Sequence, residues 1–305
     1  MSLSRTPLNQ LPAALVAEIA QAGLELEPLY AAIARAIDED LPGESDDVTS
    51  AATIPADQMG TADFTVREPG VLAGMVVAEL VFRYCMGDTV TVTNRISDGT
   101  PVKPGDVAMT VSGPIRGMLT AERTALNFSC HLSGVATATS HWVAALDGTS
   151  ARVLDTRKTL PGMRALQKYA VRCGGGVNHR FSLSDMAMAK DNHVLAAGGV
   201  VPALEAIRAA FPDVPVEVEV TDLDQLRELL AAGCSRVLLD NMSDELMAEA
   251  VRIRNESGVD CSLEASGGLT LERARSVAQT GVDFISVGAL THSVKVFDLG
   301  LDLRP

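Results

Sequence analysis

Apolar residues recur with helical spacing from about Leu11 to Leu41, where Pro42-Gly43 stops the pattern, and residues 28–41 predict an amphipathic helix. From Thr61 to Ser112 the texture turns β-rich: residues 63–67 and 89–93 alternate, and Glu68-Pro69-Gly70, Asp98-Gly99 and Lys103-Pro104-Gly105-Asp106 supply turns. That stretch predicts an open sheet with a helix against it. Helical periodicity returns over 118–146, with Glu122, Arg123 and Asn127 at polar positions among Leu119, Leu126 and Leu132.

After Ala151 a new rhythm begins, in which a short aliphatic run leads through a polar or glycine turn into an amphipathic helix. The seven runs fall at 153–156, 177–180, 186–190, 216–220, 236–240, 261–264 and 284–288, and later helices end at Gly233, Gly258 and Gly281. Repetition of strand and helix implies parallel pairing. The count suits a barrel, and periodicity alone leaves an open sheet beside it.

Arg157, Lys158, His179, Arg180, Lys190, Glu219 and Asp240 all stand at or just past the C-terminal end of a run. In an α/β barrel those ends converge on the face that carries catalysis. Glu219 alternates with Val218 and Val220, so it points to the barrel interior, where a carboxylate needs a partner.

Composition sharpens this picture in three ways. A chain of 305 residues fits one barrel with additions or two domains, and with 47% hydrophobic but only 4% aromatic residues its core is built from aliphatics and Met. The formal charge of -14 argues against a general nucleic-acid binder. Yet eight cations lie between Arg152 and Lys190 against only Asp155 and Asp185, as expected where a small, multiply charged anion binds. Within that cluster, Arg164, Lys168 and Arg172 at helical spacing read as a solvated basic face. The five cysteines (Cys85, Cys130, Cys173, Cys234, Cys261) form neither a zinc-type spacing nor a disulfide framework. The apolar stretch from Leu11 is broken by Glu18, Glu25 and Glu27, so neither a secretory leader nor a membrane span is expected, and the reading is a soluble, cytoplasmic protein.

Asp155-Thr156-Arg157-Lys158-Thr159, Gly174-Gly175-Gly176-Val177-Asn178-His179-Arg180 and Lys190-Asp191-Asn192-His193 together resemble the quinolinate phosphoribosyltransferases in order, spacing and residue type. Residues 67–74, 122–127, 217–220, 239–241, 264–268 and 286–289 extend the resemblance over most of the chain from Ala36 onward. It implies an α/β fold: an N-terminal α/β open sandwich over 1–129 and an incomplete, seven-stranded α/β barrel over 130–289, with the tail 290–305 packing back on the first domain. It also implies phosphoribosyl transfer from phosphoribosyl pyrophosphate to quinolinate with decarboxylation, and a homodimer whose sites each borrow residues from the partner.

Position by position, the resemblance makes Arg123 (the borrowed arginine), Arg157, His179, Arg180 and Lys190 the quinolinate-binding cations. It makes Lys158, Glu219 and Asp240 catalytic, and places phosphoribosyl pyrophosphate against Thr156, Lys158, Lys190, Glu219, Asp240, Ala265, Ser266, Gly267, Gly268, Ser286, Val287 and Gly288. Mg²⁺ would enter with the pyrophosphate, held by Glu219 and Asp240 directly or through water. The chemistry of the residues agrees, since quinolinate carries two adjacent carboxylates and planar guanidinium forks suit them. Glycine loops before a helix suit a 5-phosphate. Two other readings stand beside this one: an enzyme of the same fold acting on nicotinate or another acid, and a non-catalytic ligand-binding protein. The presence of Lys158, Lys190, Glu219 and Asp240 together disfavours the latter. Met186 and Met188 stand where branched aliphatics are expected and affect packing alone.

Overall fold

The computed structural model describes residues 3–43 and 45–305 and divides the chain into two compact units. The first comprises residues up to 138 with 165–175 and 294–305, the second 139–164 with 176–293.

In the first unit, β1 (Met59–Val66) alternates so that Ala62, Phe64 and Val66 are buried. After the two-residue β2 (Gly70–Val71) come β3 (Thr91–Thr93), β4 (Pro101–Val102), which pairs with β2, and β5 (Val107–Pro114). β5 lies antiparallel between β1 and β3, and the last strand of the chain, Leu299–Leu303, takes the other edge of β1 with Phe64 opposite Leu301. The helix Met75–Met86 is apolar almost all round and accordingly buried on nearly every side. Its Phe82 meets Phe64 edge to face at 5.8 Å between ring centroids, which ties helix to sheet. Asp98 caps this helix by accepting the N–H groups of Gly74 and Met75, each at 2.9 Å. The helices Ala13–Gln21 and Leu26–Asp40 bury Leu15 and Ile19, then Leu29, Ile33 and Ile37, the four-residue spacing of one helix face.

The second unit is a single parallel sheet of β6 (Arg152–Leu154), β7 (Ala187–Ala189), β8 (Val216–Val220), β9 (Arg236–Asp240), β10 (Ser262–Ser266) and β11 (Phe284–Ser286). Their order is β6-β11-β10-β9-β8-β7, and a bridge from Leu154 to Val177 adds a seventh member beyond β6. No pairing joins Val177 to β7 among the described residues, so the barrel is left open there, as the seven-stranded incomplete barrel requires. With this barrel and the helix-on-sheet first unit, the chain has the mixed α/β architecture expected. The C-terminal segment Leu299–Leu303 is β12 and belongs to the first unit.

Two local expectations are corrected. The run 177–180 is strand only at Val177, because Asn178 Nδ2 donates to Asp155 at 2.6 Å and the His179 backbone N–H donates to the same carboxylate at 2.9 Å, turning the chain away. Lys168 is not on a solvated face: it is 1% exposed, since the helix Arg164–Cys173 is buried from Leu166 to Val171. The helix Ile115–Ala145 runs unbroken through 129/130, the units divide at 138/139, and 165–175 joins the first unit. There Tyr169 donates its hydroxyl to Asp98 at 2.7 Å, Gln167 Nε2 lies 2.9 Å from His131 Nε2 and Arg172 donates to Ala22 O.

Replacing Phe64 by Ala is expected to cost about 3–5 kcal/mol through lost burial and an unfilled cavity, read as a lowered urea midpoint in circular dichroism. Val48→Ala, at an exposed position, should shift it by no more than about 0.5 kcal/mol.

Candidate active site

Strand alternation decides which side chains enter the barrel. On β8 the odd positions Glu217 and Glu219 stand opposite the pattern of Val216, Val218 and Val220; register carries the same side to Leu238 and Asp240 on β9 and to Glu264 on β10. Glu219 and Asp240 therefore come from adjacent strands near their C-terminal ends. Glu219 is met by Lys190 Nζ at 3.1 Å, the partner its position demanded, with Lys190 at the start of the helix Asp191–Ala197. Asp240 accepts from Asn241 Nδ2 at 2.8 Å.

Asn241 holds φ at +53°, an uncommon value outside glycine, and its N–H bonds to Ser266 O at 2.9 Å. Beside it, Gly267 has φ +96°, and a Cβ there would lie 2.3 Å from Asn241 Oδ1 and 3.0 Å from Asn241 N. Glycine is obligatory at this junction because both the backbone sign and the space exclude a side chain. Ala265, Ser266, Gly267 and Gly268 thus turn directly beside the Asp240 end of β9. A 3-10 turn at Leu271–Arg273 precedes the helix Ala274–Gln279.

The other arm follows β6. Lys158 N–H donates to Thr156 Oγ1 at 3.0 Å, and Thr291 Oγ1 donates to Lys158 O at 2.8 Å. The stem of Lys158 passes over Gly288, where a Cβ would meet its Cδ at 3.0 Å. Lys158 is thereby brought to the turn of Ser286, Val287 and Gly288; Ser286 is buried and the Val287 N–H is anchored to Leu154 O at 2.9 Å.

Arg157 and Arg180 form a cationic pair. Burial lowers the Arg180 pKa from its ordinary value and repulsion from Arg157 adds to the effect. Neither arginine has a carboxylate at ion-pair distance among the described residues, and the buried Nε of Arg157 has no hydrogen-bond partner there. Arg180 Nη1 is fixed by Met186 O at 3.0 Å. Two neighbouring guanidiniums with no carboxylate at ion-pair distance are suited to a small polyanion.

His179 is 8% exposed, and both of its ring nitrogens face protein. Nε2 lies 2.9 Å from Glu217 and 3.2 Å from Glu264, and Nδ1 lies 2.6 Å from the backbone N of Arg180. Burial opposes charge on the ring, but the two carboxylates outweigh it and lift its pKa to about 9. Arg236, with its guanidinium over the Phe284 ring at 5.2 Å, sits 3.5 Å from each carboxylate. Arg236 was not singled out by sequence, and Glu217 and Glu264 were each only part of a motif. The alternation that turned Glu219 inward was the signal for Glu217 as well. Of the expected residues, Arg157, Lys158, His179, Arg180, Lys190, Glu219, Asp240 and the two glycine turns all belong to the second unit, whereas Arg123 lies exposed on the helix Ile115–Ala145 within the first. A cavity of about 490 Å³ bordered by Arg5, Asp47, Cys85 and Arg116 is lined by first-unit residues alone and holds none of these groups.

Residues 47–133 match the model of the quinolinate phosphoribosyl transferase N-terminal domain and residues 135–302 that of the C-terminal domain. A nicotinate-nucleotide pyrophosphorylase [carboxylating] of Mycobacterium leprae is 53% identical over 89% of this chain and 95% of its own length. A probable nicotinate-nucleotide pyrophosphorylase [carboxylating] of Bacillus subtilis is 38% identical over 84% of the chain and 88% of its own. Among solved structures, the nicotinate-nucleotide pyrophosphorylase of Francisella tularensis superposes with a TM-score of 0.87 at 38% identity, covering 92% of this chain and 98% of that one.

Gly267→Ala is expected to displace Asn241 and lower the thermal midpoint by several degrees, the scale of about 1–3 kcal/mol of backbone strain. Gly105→Ala also has positive φ but an open surrounding, so differential scanning calorimetry should show the smaller loss there.

Proposed function

The chain belongs to the quinolinate phosphoribosyltransferase family, and from that premise we propose which of its residues carry each part of the reaction. It is a pentosyltransferase of NAD biosynthesis that makes nicotinate mononucleotide, pyrophosphate and carbon dioxide from quinolinate and phosphoribosyl pyrophosphate. The observation that carries the assignment is the Arg157–Arg180 pair, two neighbouring cations with no carboxylate at ion-pair distance among the described residues, matched to the two adjacent carboxylates of quinolinate. Lys190 adds a third cation, shared with Glu219.

With quinolinate so held, its pyridine nitrogen forms a bond to the anomeric carbon while the carbon–oxygen bond to pyrophosphate breaks and its electron pair leaves with pyrophosphate. As the bond from C2 to the 2-carboxylate breaks, its electron pair stays on C2, stabilised by the adjacent positive ring nitrogen; carbon dioxide departs and that pair takes up a proton. Lys158, lying over Gly288, is placed to neutralise pyrophosphate as it leaves. Glu219 and Asp240 hold the ribose hydroxyls and favour positive charge on the sugar carbon. Ser266 to Gly268 and Ser286 to Gly288 take the 5-phosphate.

The all-oxygen donor set of Glu219 and Asp240, on adjacent strands, fits a hard divalent cation. Mg²⁺ bound there with pyrophosphate would supply charge neutralisation on the leaving group. The reading includes a cytoplasmic homodimer in which Arg123 of the partner subunit completes each quinolinate site. Leu160, Phe181, Leu183 and Leu195 support it, being large apolar side chains left exposed on the segments that follow β6, Val177 and β7. No single helix among the described residues is long and apolar enough to cross a membrane.

Purified protein given quinolinate, phosphoribosyl pyrophosphate and Mg²⁺ should release carbon dioxide and pyrophosphate in equal amounts, with no pyrophosphate from nicotinate in parallel. Lys158→Ala should lower kcat by about 100-fold or more with the circular dichroism unchanged; full activity in that variant would remove its role. Mixing inactive Arg123→Ala and Lys158→Ala proteins should restore about a quarter of the activity, since each mixed dimer regains one intact shared site. No recovery after subunit exchange would refute the shared site.

A further inference from the structure

The cations of the proposed quinolinate site stand on two loops that the chain does not join directly. One loop follows β6 and carries Arg157 and Lys158; the other follows Val177 and carries His179 and Arg180. Residues 165–175 between them belong to the first unit, so within the second unit the loops are two separate ends. A single carboxylate needs one of these ends alone. Two adjacent carboxylates on a rigid ring need both at once, and at a fixed spacing.

Arg164 is the last residue of the second unit before the chain leaves it. It is half-buried, and its guanidinium donates in two directions: Nε to Thr159 Oγ1 at 3.2 Å, and Nη1 to the main-chain O of Phe181 at 3.1 Å. Each acceptor lies a short step from a substrate cation. The Thr159 N–H donates to Arg157 O at 2.9 Å. Phe181 directly follows Arg180, and its N–H donates to Asp185 at 2.6 Å, so this peptide is held from both sides. Asp185 also accepts the Ser182 N–H at 2.9 Å, and the guanidinium of Arg180 ends on Met186 O.

Both acceptors of Arg164 are neutral oxygens, so the link is no ion pair and acts through direction. A planar guanidinium holds its N–H groups at fixed angles, and two acceptors bonded to one such plane keep their relative placement. An ammonium at the same position keeps the charge and loses that geometry. Lys158 is secured apart from this link, through Thr156 Oγ1 and Thr291 Oγ1.

We propose that Arg164 is a positioning residue: by tying Thr159 to Phe181 it sets the spacing of Arg157 and Arg180 to that of two adjacent carboxylates. It touches no reacting atom and serves the site through the two arginines. The inference deepens the assignment of the quinolinate site and rests on it.

The test is quinolinate binding to the intact 305-residue protein by isothermal titration calorimetry, without phosphoribosyl pyrophosphate, so that no turnover occurs. Arg164→Lys and Thr159→Val are each expected to weaken binding about tenfold, the scale of one hydrogen bond to a charged group. Thr159→Ser keeps the hydroxyl and should stay within about twofold of the unaltered protein. The double variant Arg164→Lys, Thr159→Val should bind no more than about twofold more weakly than Arg164→Lys, because both changes cut one link. In steady-state kinetics the loss should fall on KM for quinolinate, with kcat and KM for phosphoribosyl pyrophosphate moved less than about twofold.

Unchanged binding in Arg164→Lys and Thr159→Val, additive losses in the double variant, or equal losses in Thr159→Ser and Thr159→Val overturn the proposal. Should Arg164→Lys melt early in circular dichroism, the two variants at Thr159 decide alone. Failure of the unaltered protein to bind quinolinate overturns the site assignment itself, and this inference with it.

Discussion

A barrel interior has no bulk water, so every charge placed inside it must find an opposite charge or a hydrogen bond within a few ångströms. That constraint organises the second unit. Glu219 has Lys190, Asp240 has Asn241, and Glu217 and Glu264 have His179 and Arg236. Arg157 and Arg180 have no carboxylate at ion-pair distance among the described residues, and the buried Nε of Arg157 has no hydrogen-bond partner there. The proposed quinolinate site is a gap in this system of pairs.

Much of this was legible in the sequence because period-two alternation and strand ends are local features. The runs at 216–220 and 236–240 coincide with β8 and β9 to the residue, and the cationic ends after β6, Val177 and β7 are where the chain rhythm puts them. What local pattern does not carry is pairing across strands. Glu264 and Arg236 look like ordinary strand residues until β8, β9 and β10 stand side by side and His179 enters between them. The end of the 177–180 run was equally hidden, since it depends on Asp155, a residue on the preceding strand's turn.

Lys168 shows the same limit from the other side. Its spacing with Arg164 and Arg172 is that of an exposed helix face, and helical periodicity reports which residues share a face without reporting what covers it. The neighbours Gln167 and Tyr169 bond to His131 and Asp98, residues far earlier in the chain, and these contacts bring the segment into the first unit. The family resemblance supplied the two-part architecture; the precise division of the chain follows from polar contacts that no stretch of sequence displays.

The antiparallel pairing of β12 with β1 has a consequence for how the chain is made. β1 begins near residue 59, but its edge partner is synthesised after all of β6 to β11. During translation the second unit can form its parallel sheet while the first still presents an open β1 edge, for the whole time the ribosome needs to add more than two hundred residues. An unpaired strand edge is an adhesive surface, so the nascent protein is open to association there until β12 arrives. Arg67 and Asp63, which receive Asp302 and Arg304 when β12 arrives, keep that waiting edge charged and hydrated until then.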